Sequence, residues 1–465
     1  MTKEKISTGE VVPTFDEFLA GNVFVKAARD FAARAHESQK RQNGEAYITH
    51  PEAVARILYE WGLRDEKIIA AAFLHDVLED TKVLVGEISV RFGEEVAGMV
   101  EGVSKFYSED KEEVDRKTLR KVVETGYVDY RVSLLKLADR LHNMRTMGDM
   151  PPDKRIDKSR ETIDVYARLA QSLGMWKVRR ELQDTAFLYA HPEGYREIKA
   201  DLEKDLRVRA AFIENTKSLL TEIITRQGGL ARIETQVNSL LRLKEKKEKA
   251  GNFLKINDVI SFRIVVEEKE TKAETTFECY RLLGILRNNP VFNALEDAAR
   301  FDDFIAFPRE NGYRAIQMTL DYPERGTVEF AITSDSQESF NRWGILSRLR
   351  AGERELSEYL LKLVFTPRGE IRFLEEGATA IDFAASISDR LLAEAVGVRV
   401  NGKEASLATV LPNGADVEII PEEGRLSPDP ELLSFCLPVT RRKILEQLGA
   451  KAVEETKREG KKKVR

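Results

Sequence analysis

A short segment at residues 73–81, "FLHDVLEDT", combines a histidine with nearby acidic side chains. A helix with about 100° per residue would place its ionisable groups within one arc of roughly 140° and its apolar groups on the other side. These ionisable residues are His75, Asp76, Glu79 and Asp80. The pattern is compatible with a solvated helix surface. It also predicts a face that can bind a metal ion or transfer protons.

Two further segments supply residues of the same kinds. "AYITHPEAVA" places His50 directly before a proline that is typical of a helix start. "LLKLADRLHNMRTM" predicts a second amphipathic helix whose polar face carries Asp139, His142, Asn143 and Thr146. We expect these polar faces to meet around a common centre.

Imidazole nitrogens and carboxylate oxygens together suit a borderline divalent ion, because magnesium and calcium normally recruit oxygen alone. The expected ligands are His50, His75, Asp76 and Asp139. An ion with open positions can activate water for hydrolysis. Glu79 and Asp80 are near enough in the sequence to orient that water or to take its proton.

Composition limits the class of protein. The chain has 465 residues, which favours about three domains. The net charge of −5 argues against general nucleic-acid affinity, which needs a surplus of cations. The two cysteines, Cys279 and Cys436, argue against a disulfide framework and suit a reducing cytosol. Without an apolar h-region or membrane-spanning run, we expect a cytoplasmic protein with no membrane contact.

The spacing of apolar residues changes along the chain and predicts a multidomain fold. Helical spacing predicts an all-α domain over residues 1–195. β-Branched segments such as "INDVISFRIVV" between helical stretches predict an α/β unit over residues 196–355. Short strands around the turn signals "PRGE" and "PNGA" predict a small β unit over residues 356–424. Residues 425–465 are expected to form a C-terminal tail whose basic end, "KREGKKKVR", is disordered.

The order H…HD…D resembles the signature of HD-type metal phosphohydrolases. The blocks "RQNGEAYITHP", "AAFLHDVLEDT", "RFGEEVAGMVEGVSK", "LLKLADRLHNMRTM" and "RETIDVYARLAQSLG" resemble the hydrolase half of the RelA/SpoT alarmone enzymes, in the same order. This resemblance implies removal of the 3′-pyrophosphate of (p)ppGpp, giving GDP or GTP and pyrophosphate, with Mn²⁺ as the metal.

Carried over by position, the resemblance assigns the four expected ligands to the metal, and Glu79 and Asp80 to the attacking water. It places Arg41, Asn143 and Thr146 in the nucleotide pocket. The remaining histidines, His36, His142 and His191, are expected to be structural or exposed. Gln42-Asn43 and Arg168 depart from the family pattern, which leaves the nucleotide preference open.

The middle unit resembles the family's nucleotidyltransferase-like synthetase, which transfers pyrophosphate from ATP to GDP or GTP. The resemblance assigns possible nucleotide-binding roles to Asp258, Arg263, Tyr313 and Glu329. Several phosphate-binding positions of the family differ here. Glu234 and Asp302 stand in place of lysines, which reverses the local charge, and Asn238 and Gln317 stand in place of a serine and a histidine. Because phosphoryl transfer needs cations aimed at the moving group, we expect synthesis to be lost. A structural brace, nucleotide sensing and residual synthesis are the alternatives for this unit.

The third unit resembles the small β-grasp-like TGS domain of long RelA/SpoT proteins. This implies a protein partner, whereas Ser388 in place of the family histidine weakens the case for ribosome or tRNA binding. For the whole chain, two other hypotheses remain beside (p)ppGpp hydrolysis. One is a non-catalytic scaffold that senses nucleotides, and the other is hydrolysis of another phosphorylated nucleotide such as ppApp or NADPH.

Overall fold

The computed structural model describes residues 13–104, 121, 125–126, 129–256, 258–294, 301–309, 311–322, 326–353, 361–367 and 370–449. They fall into two compact units. The first comprises Met1–Ser104 and Leu134–Tyr359, and the second comprises Lys105–Ser133 and Leu360–Arg465. The segment "KREGKKKVR" lies outside the described residues.

The first part of the chain is helical, as predicted. Its helices are α1 (Phe15–Gly21), α2 (Val23–Ala35), α3 (Thr49–Glu60), α4 (Glu66–Leu74), α5 (Val77–Asp80), α6 (Val85–Phe92), α7 (Glu94–Val103), α8 (Tyr130–Arg145), α9 (Pro152–Glu161), α10 (Ala167–Ser172) and α11 (Trp176–Ala190). A π-helical segment, Thr162–Tyr166, separates α9 from α10. Helix α4 is buried on all sides from Ile68 to Leu74 and packs against α2, α3 and α7.

Two local features differ from the sequence expectations. "FLHDVLEDT" is not one helix, because α4 ends at Leu74 and α5 starts at Val77. The ring of His75 lies 2.8 Å from the carbonyl oxygen of Ala72, the acceptor that the backbone of Asp76 would use in a continuous helix. His50 lies inside the first turn of α3 rather than before it. Pro51 is tolerated there because the first amides of a helix have no acceptor within it.

The α/β part follows, as predicted. Long helix α12 (Pro192–Arg226) contains the predicted domain boundary at residues 195–196 in its first turn. The elements after it are β1 (Ala231–Val237), α13 (Leu240–Ala250), β2 (Ile260–Val266), α14 (Lys272–Arg287), β3 (Asn293–Ala294), β4 (Phe301–Asp303), β5 (Ile316–Tyr322), β6 (Gly326–Ser334), α15 (Asp335–Trp343) and α16 (Ile345–Arg350). The strand order is β1-β2-β6-β5-β3, with β4 on β5, and only β2 and β6 run parallel.

The helical and α/β parts of the first unit meet through backbone. The amide of Ile345 donates to the carbonyl of Leu173 at 3.1 Å. Gly344 has φ +57°, and a Cβ atom there would lie 1.9 Å from the same Leu173 oxygen. The carboxylate of Asp184 on α11 accepts from the amide of Leu240, the first residue of α13, at 2.7 Å. Close approach at this junction therefore requires glycine at position 344.

The second unit is built on a small β-sheet, which confirms the third part of the predicted fold class. Its elements are β7 (Lys362–Phe365), β8 (Ile371–Leu374), α17 (Ala380–Ile387), α18 (Asp389–Glu394), β9 (Ala395–Val400), β10 (Lys403–Ala405) and β11 (Ala415–Pro421). The strand order is β10-β9-β11-β7-β8, with β11 parallel to β7. Cys436 and Ile444, both in the predicted tail, are buried in this unit's core. Within the described residues, no helix combines the length and the apolar character needed to cross a bilayer.

Candidate metal centre

Three chain segments bring the predicted ligands together. His50 comes from the first turn of α3, His75 and Asp76 from the break between α4 and α5, and Asp139 from the middle of α8. One candidate ligand atom from each of His50, His75 and Asp76 lies within 4.8 Å of the other two. The Oδ1 atom of Asp139 lies 3.4 Å from Nε2 of His50 and 3.9 Å from Nε2 of His75. The structure thus groups two imidazoles and the carboxylate of Asp76 closely, and places the carboxylate of Asp139 beside both imidazoles.

The surroundings of Nε2 of His75 indicate whether this arrangement can bind a cation. Nδ1 of His75 donates to the Ala72 carbonyl, which leaves Nε2 facing the centre. Nε2 is buried and makes no hydrogen bond among the described residues, although Oδ1 of Asp76 lies 3.2 Å away. Burying such a group without a partner costs about 1–3 kcal/mol. A bound divalent ion would supply the missing partner, so the residues present fit a metal.

His50 is oriented by a second histidine that is not itself a predicted ligand. Nδ1 of His50 lies 2.7 Å from Nδ1 of His142. Burial, followed by the charges of His50 and Arg41, lowers the pKa of His142 to about 4. A neutral His142 can accept from Nδ1 of His50, which leaves Nε2 of His50 facing the centre. This contact gives His142 the bracing role expected for it.

The two carboxylates beside His50 favour its protonated form. Burial opposes protonation of His50, but hydrogen bonds with Asp139 and Asp76 outweigh it and raise the pKa. The same two carboxylates are the predicted metal ligands. Because a metal binds only the deprotonated imidazole, occupation of this site would release a proton.

Both carboxylates of the centre are ionised and held in place. Burial disfavours the charge on Asp139, but the nearby ammonium of Lys136 holds its pKa well below the usual range. Lys136 is itself buried, and its Nζ donates to Oδ2 of Asp139 at 3.0 Å. Asn143 donates to the other oxygen at 2.5 Å. For Asp76, burial is likewise outweighed by the charge of His75 and by His50, which lower its pKa.

The two acids predicted to handle water lie on α5, directly after the ligand Asp76. Asp80 is exposed, and its Oδ2 lies 2.6 Å from the hydroxyl of Tyr47. The same hydroxyl lies 2.8 Å from Oδ2 of Asp76. Burial, then the charge of Asp76, raises the pKa of Tyr47 far above its ordinary value, so its hydroxyl keeps the proton. Glu79 is half-buried, and its charge reaches Lys136.

The predicted nucleotide-pocket residues border the same centre. Nη2 of Arg41 donates to Oγ1 of Thr146 at 3.1 Å, although the two residues are far apart in the sequence. Asn143 contacts Asp139, as described above. Arg41 sits in a loop that reverses at Gly44, whose φ of +87° favours glycine. A guanidinium and a hydroxyl are therefore available beside the candidate metal ligands.

The residues predicted in the α/β part form two neighbouring pairs. Asp258 makes an ion pair with Lys246, and Glu329 is close enough for burial and the charge of Asp258 to raise its pKa. Arg263 is buried and binds Glu338 at 2.9 Å. The hydroxyl of Tyr313 lies 3.4 Å from the guanidinium of Arg263.

Glu234 does not make its surroundings negatively charged, because it is paired with arginines. Its carboxylate makes ion pairs with Arg232 and Arg342. Asp302 is exposed on β4, opposite Gln317 of β5. The reversal of local charge expected where Glu234 and Asp302 replace lysines is therefore offset at Glu234 by its two arginine partners.

Sequence reasoning missed Tyr47 and Lys136. Lys136 lies three residues before Asp139 on one helix, and this spacing could have revealed the ion pair. Tyr47 gave no comparable signal, because its partners Asp76 and Asp80 are 29 and 33 residues away.

Comparisons with known proteins match three regions of the chain. The HD domain family matches residues 28–176, the region found in RelA / SpoT proteins matches residues 233–354, and the TGS domain matches residues 363–421. These matches follow one another in the order of the three parts of the fold.

Curated relatives extend the similarity along most of the chain. A GTP pyrophosphokinase rsh from Brucella melitensis is 33% identical over 90% of this chain and 59% of its own length. A probable guanosine-3′,5′-bis(diphosphate) 3′-pyrophosphohydrolase from Synechocystis is 33% identical over 93% and 61%. The bifunctional (p)ppGpp synthase/hydrolase SpoT of Escherichia coli is 32% identical over 90% and 63%. The chain thus spans about three fifths of the length of these relatives. With HD, RelA/SpoT and TGS regions in sequence, it belongs to the RelA/SpoT family.

Proposed function

We propose that this protein is a Mn²⁺-dependent hydrolase that removes the 3′-pyrophosphate of (p)ppGpp, giving GDP or GTP and pyrophosphate. The observation that carries the proposal is the buried centre of two imidazoles and two ionised carboxylates in the HD region. Two of the relatives described above bear names that include hydrolysis of this nucleotide.

In the proposed mechanism, one set of residues holds the metal ion and another orients the attacking water. The residues that would hold the ion are His50, His75, Asp76 and Asp139. When bound, a divalent ion supplies a Lewis acid that lowers the pKa of water and offsets charge on phosphate. Asp80, exposed at the edge of the centre, and Glu79 would orient the attacking water and accept its proton.

Residues of the loop before α3 and of the end of α8 would bind and position the nucleotide. A guanidinium can stack on a planar base or pair with phosphate, which suits Arg41. The amide of Asn143 and the hydroxyl of Thr146 offer donors and acceptors to a sugar. Because Arg41 and Thr146 already contact each other, they would present one continuous polar wall to the nucleotide.

Product analysis with three nucleotides tests this assignment. We expect Mn²⁺-loaded protein to cleave ppGpp faster than ppApp or NADPH, with pyrophosphate released from the 3′ position. Chromatographic separation of the products, with EDTA-treated protein as the control, measures this. Faster cleavage of ppApp or NADPH would show that one of these nucleotides, rather than ppGpp, is the preferred substrate. Tight binding of ppGpp without turnover would favour a sensing scaffold.

We further propose that the α/β part does not synthesise alarmone. Asn238, Asp302 and Gln317 stand where the family supplies a serine, a lysine and a histidine, and Glu234 is paired with two arginines. Arg263 binds both Glu338 and the hydroxyl of Tyr313, which supports a bracing role for this part. Lys246 beside Asp258, with Arg242 acting on Glu329, is the feature that favours retained nucleotide binding instead.

Incubation with ATP and GDP tests the loss of synthesis. We expect no (p)ppGpp above background when Asp76→Ala protein is used, because this variant would not degrade any alarmone that formed. Thin-layer chromatography of labelled nucleotide measures the product. Accumulation of ppGpp would show that Lys246 and Arg242 suffice for transfer and would overturn this part of the proposal.

We also propose a location and a partner for this protein. The two cysteines are free and buried, as expected in a reducing cytoplasm. We place the protein there, with a protein partner for the TGS region.

A further inference from the structure

The loop between α2 and α3 places one aromatic side chain between the metal centre and the acid proposed to handle water. The hydroxyl of Tyr47 lies 2.8 Å from Asp76 and 2.6 Å from Asp80. Asp76 is a candidate ligand, whereas Asp80 is exposed and free to rotate without such a contact. Tyr47 therefore links a residue that would hold the ion to one that would face solvent.

The ring of Tyr47 is held in place by a stacking contact. It stacks on the ring of His36, with centroids 4.5 Å apart and planes inclined by 23°. Nδ1 of His36 lies 2.8 Å from the side-chain oxygen of Gln39, whose amide nitrogen donates to the backbone carbonyl of Asp80 at 2.5 Å. Both the side chain and the backbone of Asp80 are thus attached to the segment from His36 to Tyr47.

The same segment carries Arg41. Its two arms meet in an antiparallel bridge between Lys40 and Ala46, and the amide of Tyr47 donates to the carbonyl of Gln39 at 3.3 Å. Movement of Tyr47 would therefore also displace the guanidinium that borders the candidate nucleotide pocket.

We propose that Tyr47 is a positioning residue that holds Asp80 and Asp76 in fixed relative orientation and sets the distance from the metal centre to Arg41. A tyrosine hydroxyl has one proton, so it donates to only one carboxylate at a time. The two short contacts mean that both carboxylates are confined around a single donor. This role rests on the proposed hydrolase function, but its effect on metal binding can be measured without any nucleotide.

Tyr47→Phe is the direct test, because phenylalanine keeps the stack on His36 and removes only the hydroxyl. Loss of an outer partner of a metal ligand typically costs about 10–100-fold in metal affinity or activity. We expect the Kd for Mn²⁺ to rise about tenfold and kcat for ppGpp to fall by about 10–100-fold on the same grounds. Titration of Mn²⁺ followed by electron paramagnetic resonance measures the first, and steady-state kinetics at saturating Mn²⁺ the second.

Tyr59→Phe is the matched control. Tyr59 is buried in α3 of the same helical part, and its hydroxyl donates to the carbonyl of Pro13 at 2.7 Å, away from the centre. We expect this variant to bind Mn²⁺ and to turn over ppGpp as wild type does. A Kd for Mn²⁺ in Tyr47→Phe within twofold of the control would overturn the positioning role, as would wild-type protein that binds no Mn²⁺.

A double-variant cycle separates positioning from a general loss of packing. If Tyr47 acts through Asp80, then Tyr47→Phe should lower kcat much less in an Asp80→Asn background than in wild type, because interacting residues are not additive. Equal losses in the two backgrounds would contradict the proposal. If wild type and Tyr47→Phe differ in Mn²⁺ affinity but neither cleaves ppGpp, the positioning of Asp76 stands and the proposed hydrolase function fails.

Discussion

Replacing Asp76 by alanine should lower kcat/KM for ppGpp by at least about 10³-fold, equivalent to about 4 kcal/mol of transition-state stabilisation. Its two oxygens lie 3.2 Å from Nε2 of His75 and 3.4 Å from Nε2 of His50. Removal leaves two buried imidazoles facing one carboxylate, that of Asp139. Tight binding of a divalent ion would then be lost together with the chemistry that it supplies.

Metal analysis and kinetics on one preparation measure this effect. Asp153→Ala is the control, because Asp153 is an exposed acid in the first turn of α9. We expect Asp153→Ala to retain both Mn²⁺ and activity, and both variants to keep the helical circular dichroism of wild type. Asp76→Ala protein that binds Mn²⁺ normally and remains active would show that the ion lies elsewhere or is not needed.

Replacing Glu338 by glutamine should lower the free energy of unfolding of the α/β part by about 3–5 kcal/mol, the usual effect of removing one partner from a buried ion pair. Glu338 is 3% exposed, and its carboxylate binds both Arg263 at 2.9 Å and Arg342 at 2.6 Å. A neutral amide leaves the buried guanidinium of Arg263 without a countercharge of equal strength. The loss therefore exceeds that of one ordinary hydrogen bond.

Urea unfolding followed by tryptophan fluorescence measures the change, since Trp343 lies on the same helix as Glu338. Glu353→Gln is the matched control. Its carboxylate pairs with Arg348 at 3.1 Å, and about 40% of each side chain is exposed. Exposed pairs contribute about 0–1 kcal/mol, so little change is expected. Equal, small losses for both variants would show that Arg263 finds another partner.

Residue types and spacing were enough to predict the three parts of the fold and the residues that converge in the helical part. The regular apolar spacing of α3, α4 and α8 indicated their packed faces, and the remaining positions included His50 and Asp139. The apolar faces of these helices pack together in the core. Their polar faces are left outside it and can meet only where neighbouring helices end or cross.

Contacts that depart from the helical repeat or join distant segments could not be predicted in the same way. The bond between the His75 ring and the Ala72 carbonyl interrupts a segment that periodicity predicts as one helix. Tyr47 and Asp80 are 33 residues apart, so their contact depends on how α3, α4 and α5 pack. The neutralisation of Glu234 by Arg342 joins strand β1 to helix α15, and single-sequence patterns carry no information about such pairs.

The glycine at position 344 has a consequence for how the helical and α/β parts can be separated. Its backbone lies so close to Leu173 that the turn has no room to pivot without breaking the bond from Ile345. A fragment ending near residue 195 would also cut α12 in its first turn and uncover the surface that α13 and α15 protect. We therefore expect the helical part to be less stable when it is produced without the α/β part than within the whole chain.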